Sequence, residues 1–327
     1  MNFEESYFKG EIIDGFYVEE QMKRAWAAQI EVLEEIRRIC GNHNLKFFAD
    51  WGTLLGAARH KGFIPWDDDL DVCMMRDDYE KFLRIAPKEL LPCYELKSLY
   101  NDPGHDNVKA RIITGRHMNF DRDYLNKFHA CPFVVGIDIF PIDYIPRDAA
   151  KSQEQNRNIN YAMTAAYSIS PCAPYNKEEL DLAHQLEELT GFKIDYNNNL
   201  VHEFKKIVDE LSAIYGPKDS DEVCSMIDFA MGWPREYRIR KSSYAEPVEM
   251  PFENTTIPVP AGYEEILTIK YGENYMTPVK GASSHDYPFY KEQELCLKEE
   301  VEKEFNTQVT YEQVRELISM KVMESLK

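Results

Sequence analysis

The stretch WGTLLGAARHKGFIPWDDDLD, Trp51 to Asp71, places four acids within five positions, at Asp67, Asp68, Asp69 and Asp71. Most acidic runs are solvated loops. This one is bounded by Phe63, Ile64 and Trp66 before it and by Val72, Cys73, Met74 and Met75 after it, which is the context of a core strand. A strand over 67–75 alternates its side chains, so Asp69 and Asp71 share a face with Asp67, while Asp68 turns to the other. Two carboxylates about 4 Å apart repel by roughly 4 kcal/mol at an effective dielectric near 20. Either one takes up a proton or a cation sits between them, and Mg²⁺ suits a carboxylate pair that leaves coordination positions for water and phosphate. A calcium loop is the rival: Asp67, Asp69, Asp71 and Asp78 fit its spacing, but Val72 stands where that loop needs glycine.

Upstream, LKFFAD (Leu45–Asp50) reads as a buried strand, and Thr53 as the N-cap of a short helix through Leu54, Leu55, Ala57 and Ala58. Gly52 and Thr53 would then present free backbone N–H groups to a phosphate. Arg59 and Lys61 follow, and Lys109 and Arg111 share a parity on the strand NVKARIIT (107–114). Arg59 suits bidentate phosphate contact and Lys109 acts as a point charge, whereas Lys61 reads as an ordinary surface lysine. Asp138 lies between Ile137 and Ile139 in VVGIDIFPIDYIP (Val134–Pro146), on the face opposite those aliphatics, and is the third candidate acid of the site. Pro141 is expected to limit that strand's central position. His60 and His285 could serve as acid or base, but neither has a sequence partner, and packing is the plainer reading of each.

Around this core, Met22, Trp26, Ile30, Leu33 and Ile36 predict an N-terminal helix over 19–41 that stops at Gly41. A helix over 77–91 and strands over 94–100 and 107–114 follow. Helical character over 148–168, 178–189, 200–215 and 221–231 predicts a helical insertion at 148–232. A hairpin feeding a helix (251–272) and a terminal helix (310–326) lie in the part over 233–327 that completes the site. The catalytic core is expected over 42–147, within one domain of α/β (α+β) class.

The 327 residues carry 57 acidic against 38 basic side chains, a net charge of −19, which argues against nucleic acid or a broadly anionic membrane as partner. No apolar run of about 18 residues is present, and the polar N-terminus is unlike a signal peptide. A cytoplasmic protein is expected, at most weakly associated with the inner face of a membrane. Seven scattered cysteines without a C-x-x-C pair read as reduced thiols.

Gly52 to Val72 closely resembles the signature of the LicD family, bacterial phosphocholine transferases related to the fukutin group. The blocks Val135–Pro146 and Pro251–Met276, with His285 after them, agree in order and spacing. Asn254 departs from the glycine that often follows Phe-Glu there. The resemblance implies a nucleotidyltransferase-like mixed sheet flanked by helices. It also implies a site in which Asp69, Asp71 and Asp138 bind Mg²⁺; Asp67, of the same parity, is a further candidate ligand, and Mn²⁺ could take the place of Mg²⁺. From the resemblance alone comes the reaction: phosphocholine passes from CDP-choline to a hydroxyl of a teichoic-acid or lipopolysaccharide type glycan, and CMP leaves. Transfer of ribitol phosphate, glycerol phosphate or a nucleotidyl group is the alternative, and a non-catalytic metal-binding scaffold is the rival of another class. A trimethylammonium group would want aromatic faces. Trp66, Trp233, Tyr287 and Tyr290 are candidates, with packing the ordinary role of each.

Overall fold

The computed structural model describes residues 1–105, 107–231, 237–280 and 287–327. His285 and Trp233 therefore lie outside the described residues. A small hairpin of β1 (Glu11–Ile13) and β2 (Phe16–Val18) leads into α1 (Glu20–His43), whose apolar face is buried along its length. That helix runs through Gly41, and its stop is Asn44, which takes the left-handed C-cap conformation at φ 52°.

Next come β3 (Phe48–Ala49), α2 (Trp51–Arg59), β4 (Leu70–Met75), α3 (Arg76–Glu89), β5 (Glu95–Lys97), β6 (Ala110–Ile113), α4 (Arg122–Lys127) and β7 (Gly136–Ile145). Helices α5 (Ala149–Ser168), α6 (Lys177–Thr190) and α7 (Leu200–Ser212) follow, then β8 (Glu222–Cys224), α8 (Met226–Met231) and β9 (Ile239–Arg240). The chain ends with the hairpin β10 (Pro247–Phe252) and β11 (Thr255–Pro260), then α9 (Tyr263–Tyr271), α10 (Lys291–Phe305) and α11 (Tyr311–Leu326).

One mixed sheet runs β3-β4-β7-β6-β5, with β8 and β9 added along the far end of β7. Only β4 and β7 pair in parallel; the other ladders are antiparallel. The fold is thus the expected mixed α/β sheet flanked by helices. Pro141 does not limit β7 as expected: the strand is central and runs through it to Ile145. Its antiparallel pairing with β6 ends at Ile139 and that with β8 begins at Asp143, so Pro141 falls between the two ladders on that side, opposite Met74 of β4 on the other. The expected helix over 221–231 is half strand, because Val223 and Cys224 complete the sheet before α8 begins.

Two cores form. The larger packs α1, the sheet and β10–β11 around residues such as Ile30, Phe48, Val72 and Ile139. The smaller belongs to α5–α8 and is built on Ile159, Leu186, Phe204 and Phe229. A buried ion triad ties the two together: Arg76 at the start of α3 donates to both oxygens of Asp143 on β7 (2.6 and 3.1 Å) and to Asp209 on α7 (2.9 Å). No helix among the described residues is long and apolar enough to cross a membrane.

Candidate active site

The acids converge where β4 and β7 run side by side. Asp71 on β4 is the register partner of Asp138 on β7, and Asp138 is in turn the partner of Arg111 on β6. Three strands therefore set two acids and a guanidinium in one row across the sheet. Both oxygens of Asp138 are engaged: Arg111 pairs through Nε with Oδ1 and through Nη2 with Oδ2 at 3.1 Å, and Lys109 Nζ lies 2.5 Å from Oδ2. Burial pushes the Asp138 carboxyl up, but the hydrogen bond and charge of Arg111, then Lys109, outweigh it and hold it below the usual range.

Asp71 is in the opposite condition. Desolvation, then the charges of Asp69 and Asp138, push its carboxyl well above the usual range. Its Oδ1 is buried and has no hydrogen-bond partner among the described residues, while its backbone N–H donates to the Thr53 hydroxyl at 2.8 Å. A buried, unpartnered carboxylate oxygen beside two further acids is a donor set that fits a hard divalent cation.

The strand begins at Leu70, so Asp67, Asp68 and Asp69 form a loop rather than the start of β4. The simple alternation expected for them fails there. One oxygen from each of these three lies within 4.8 Å of the others, so Asp68 is not turned away from its neighbours. The other side of Asp68 is anchored: its Oδ2 accepts from the Phe289 amide at 2.5 Å, and its carbonyl accepts from buried Gln29.

Thr53 is not the N-cap expected, and Gly52 and Arg59 have contacts within the chain that the sequence did not announce. The N-cap of α2 is Asp50, which accepts from the Trp51 amide at 2.9 Å, and Thr53 sits one turn in with its hydroxyl committed to β4. Trp51, at φ 42°, makes the tight strand-to-helix turn. A Cβ on Gly52 would meet Asp67 Oδ2 at 2.2 Å, so the missing side chain makes room for this carboxylate. Arg59 donates to the carbonyls of Tyr275 (3.0 Å) and Thr277 (3.4 Å), fastening the stretch after α9. His60 rests 3.3 Å from Asp14 and edge-on to Trp66, a packed histidine. Trp66 and Tyr287 pack against Phe16, and Tyr290 stacks on Phe133, so these three aromatics serve the core.

The LicD/FKTN/FKRP nucleotidyltransferase domain family matches residues 44–129, the segment that holds α2, the acidic loop and the Lys109–Arg111 strand. The match takes in the acidic segment whose resemblance to this family the sequence already shows. Over 253 residues it is 24% identical to the lipopolysaccharide cholinephosphotransferase LicD of Haemophilus influenzae, a span covering 76% of this chain and 89% of that one. A shorter match, 37% identical over 67 residues, is to an uncharacterised protein of Rickettsia typhi and covers 20% of this chain and 22% of the other.

The site is closed by a residue that pattern reading passed over. Lys270 in the last turn of α9 is buried, forms an ion pair with Asp50, and holds its ammonium 3.8 Å from the centroid of the Trp51 ring. Tyr271 beside it lies in the field of Asp50, Asp67 and Asp71. The signal was faint: a lysine ending an amphipathic helix ordinarily reads as a solvated residue matching the helix dipole.

Proposed function

We propose that the protein is a Mg²⁺-dependent transferase that moves phosphocholine from CDP-choline to a hydroxyl of a cell-surface glycan or its precursor, releasing CMP. The observation that carries this reading is the row Asp71, Asp138 and Arg111, in which a carboxylate with an unpartnered oxygen stands beside one held by Arg111 and Lys109. The name of the Haemophilus influenzae relative supplies the transferred group. Asp69, Asp71 and Asp138, with Asp67 at the margin, would hold the metal, which supplies charge to the donor's pyrophosphate oxygens when bound.

The chain's own residues do the rest. Lys109 and Arg111, held by Asp138, meet the phosphate oxygens and offset the charge that grows on them. Asp138 also orients the acceptor hydroxyl. The hydroxyl oxygen bonds to the phosphorus nearer choline, the bond from that phosphorus to the bridging oxygen breaks, CMP departs with the bridging oxygen, and the hydroxyl proton passes to a carboxylate. The strand-to-helix turn at Trp51, locked by Lys270, keeps α2 and the acidic loop in register. The protein would work on the cytoplasmic side of a membrane.

The test is to incubate the protein with Mg²⁺, CDP-choline and lipopolysaccharide or teichoic acid, and to follow CMP. CMP release that depends on Mg²⁺ and is lost in Asp71→Asn supports the reading. Release of pyrophosphate from CTP under the same conditions, with none of CMP from CDP-choline, would replace it with nucleotidyl transfer.

A further inference from the structure

A cavity of about 610 Å³ opens between α3 and α7, at the opposite end of β4 from Asp71. That volume lies in the range of small-molecule sites, roughly 300–1,000 Å³. Its floor is the Arg76–Asp209 pair, and its walls include Tyr79, Tyr100 and Phe192. The Tyr100 hydroxyl donates to Asp209 Oδ2 at 2.5 Å, which fixes that ring at the wall.

The charge around the cavity is unbalanced. Arg76 is held by Asp209 at the floor and by Asp143 behind it, so its positive charge is already matched. Glu210 adds an acid at the wall beside Asp209, so the lining acids Glu80, Asp209 and Glu210 outnumber Arg76 and Arg84 by one. At the rim Glu80 and Arg84 stand 3.8 Å apart and offset each other. Aromatic faces combined with surplus negative charge are the conditions under which an organic cation outcompetes a neutral molecule or an anion.

We propose that this cavity binds a small organic cation, a quaternary or tertiary ammonium attached to an apolar body, at a site distinct from the acidic row. The apolar body lies against Phe192 and Ile214, and the ammonium faces Tyr100 and Glu210. The proposal does not rest on the transferase reading, because no residue of the acidic row lines the cavity.

The test is titration of the full chain with benzyltrimethylammonium, followed by calorimetry and ligand-observed NMR, with benzyl alcohol as the uncharged comparison. Saturable binding is expected, weakened about fivefold or more by Phe192→Ala and by Glu210→Gln. Ile214→Trp, at a largely exposed position on the cavity wall, should block binding without disturbing the fold. Asp69→Asn should leave it unchanged. No saturable binding to the folded wild type, or equal affinity for benzyl alcohol, overturns the proposal. Binding lost in Asp69→Asn yet kept in Ile214→Trp also overturns it, by placing the cation at the acidic row.

Discussion

Asp71 and Asp138 are register partners on the parallel pair β4 and β7, yet their surroundings drive their carboxyls in opposite directions. The difference is in the cations: both oxygens of Asp138 are taken by Arg111 and Lys109, and Asp71 has an orphaned oxygen. Removing the Asp138 charge therefore acts twice, on the metal site and on the positions of the two cations. Asp138→Asn is expected to lower CMP release about 100-fold or more, comparable to losing a key electrostatic contact. Arg111→Lys, which keeps the charge but loses the two-pronged pairing, should cost about tenfold. Both are read from initial rates at saturating Mg²⁺, and an Asp138→Asn enzyme with wild-type rates would remove this residue from the site.

Gly52 offers a test of whether Asp67 matters. A methyl at 52 would collide with Asp67 Oδ2, the movable end of a side chain, so the acid can swing away at modest cost. Gly52→Ala should lose about 1 kcal/mol of stability, and Asp67→Ala in that background should restore most of it. Chemical denaturation of the two variants measures this. If Asp67 is a metal ligand, Gly52→Ala also raises the Mg²⁺ concentration needed for half-maximal activity; an unchanged requirement would restrict the ligand set to the other acids.

How much of this was readable in the chain depended on the range of the interaction. Asp71 and Asp138 could be placed because a strand's two-residue period and flanking aliphatics constrain an acid locally, whereas Asp69 precedes β4 and escapes that constraint. The N-cap was misplaced at Thr53 because Asp50 and Thr53 are both good caps and the choice is made by the tight turn at Trp51, which no pattern announces. The short β8 was hidden inside a helical pattern, since its three residues become a strand only by completing the sheet beside β7. Lys270 was invisible for the same reason at longer range: its partner Asp50 is 220 positions away. The intrachain contacts of Gly52 with Asp67 and of Arg59 with the carbonyls after α9 were not legible, because composition shows which groups could bind an anion and not which neighbours the fold brings to them.

That long-range pair predicts a stability defect with a specific cure. Lys270 and Asp50 are both buried, so Lys270→Met strands a carboxylate without its cation, at a cost of about 3–5 kcal/mol. Adding Asp50→Asn, which keeps a cap for Trp51 and removes the stranded charge, should recover a large part of the loss. A double-mutant cycle by urea unfolding checks it. Strict additivity of the two substitutions would mean that the pair is not coupled in the folded state.

The Arg76 triad makes stability depend on pH with a sign opposite to that of an ordinary salt-bridged acid. Two buried carboxylates share one guanidinium, and desolvation outweighs Arg76 at Asp143, whose carboxyl is pushed up to about 6 from 3.8. Asp209 and Glu80 add to the push from α7 and α3. Between these two values the folded protein holds a proton that the unfolded chain has released, so this group's contribution is full below pH 3.8 and is lost as pH rises through about 6. Asp143→Asn mimics the protonated form at every pH. Relative to that variant, the wild type should lose stability on going from pH 4 to pH 7, by on the order of 3 kcal/mol at most. Urea unfolding of both proteins at each pH measures the difference. A gap that stays constant, or that grows in favour of the wild type as pH rises, would show that Asp143 is ionised throughout and that Arg76 outweighs its burial.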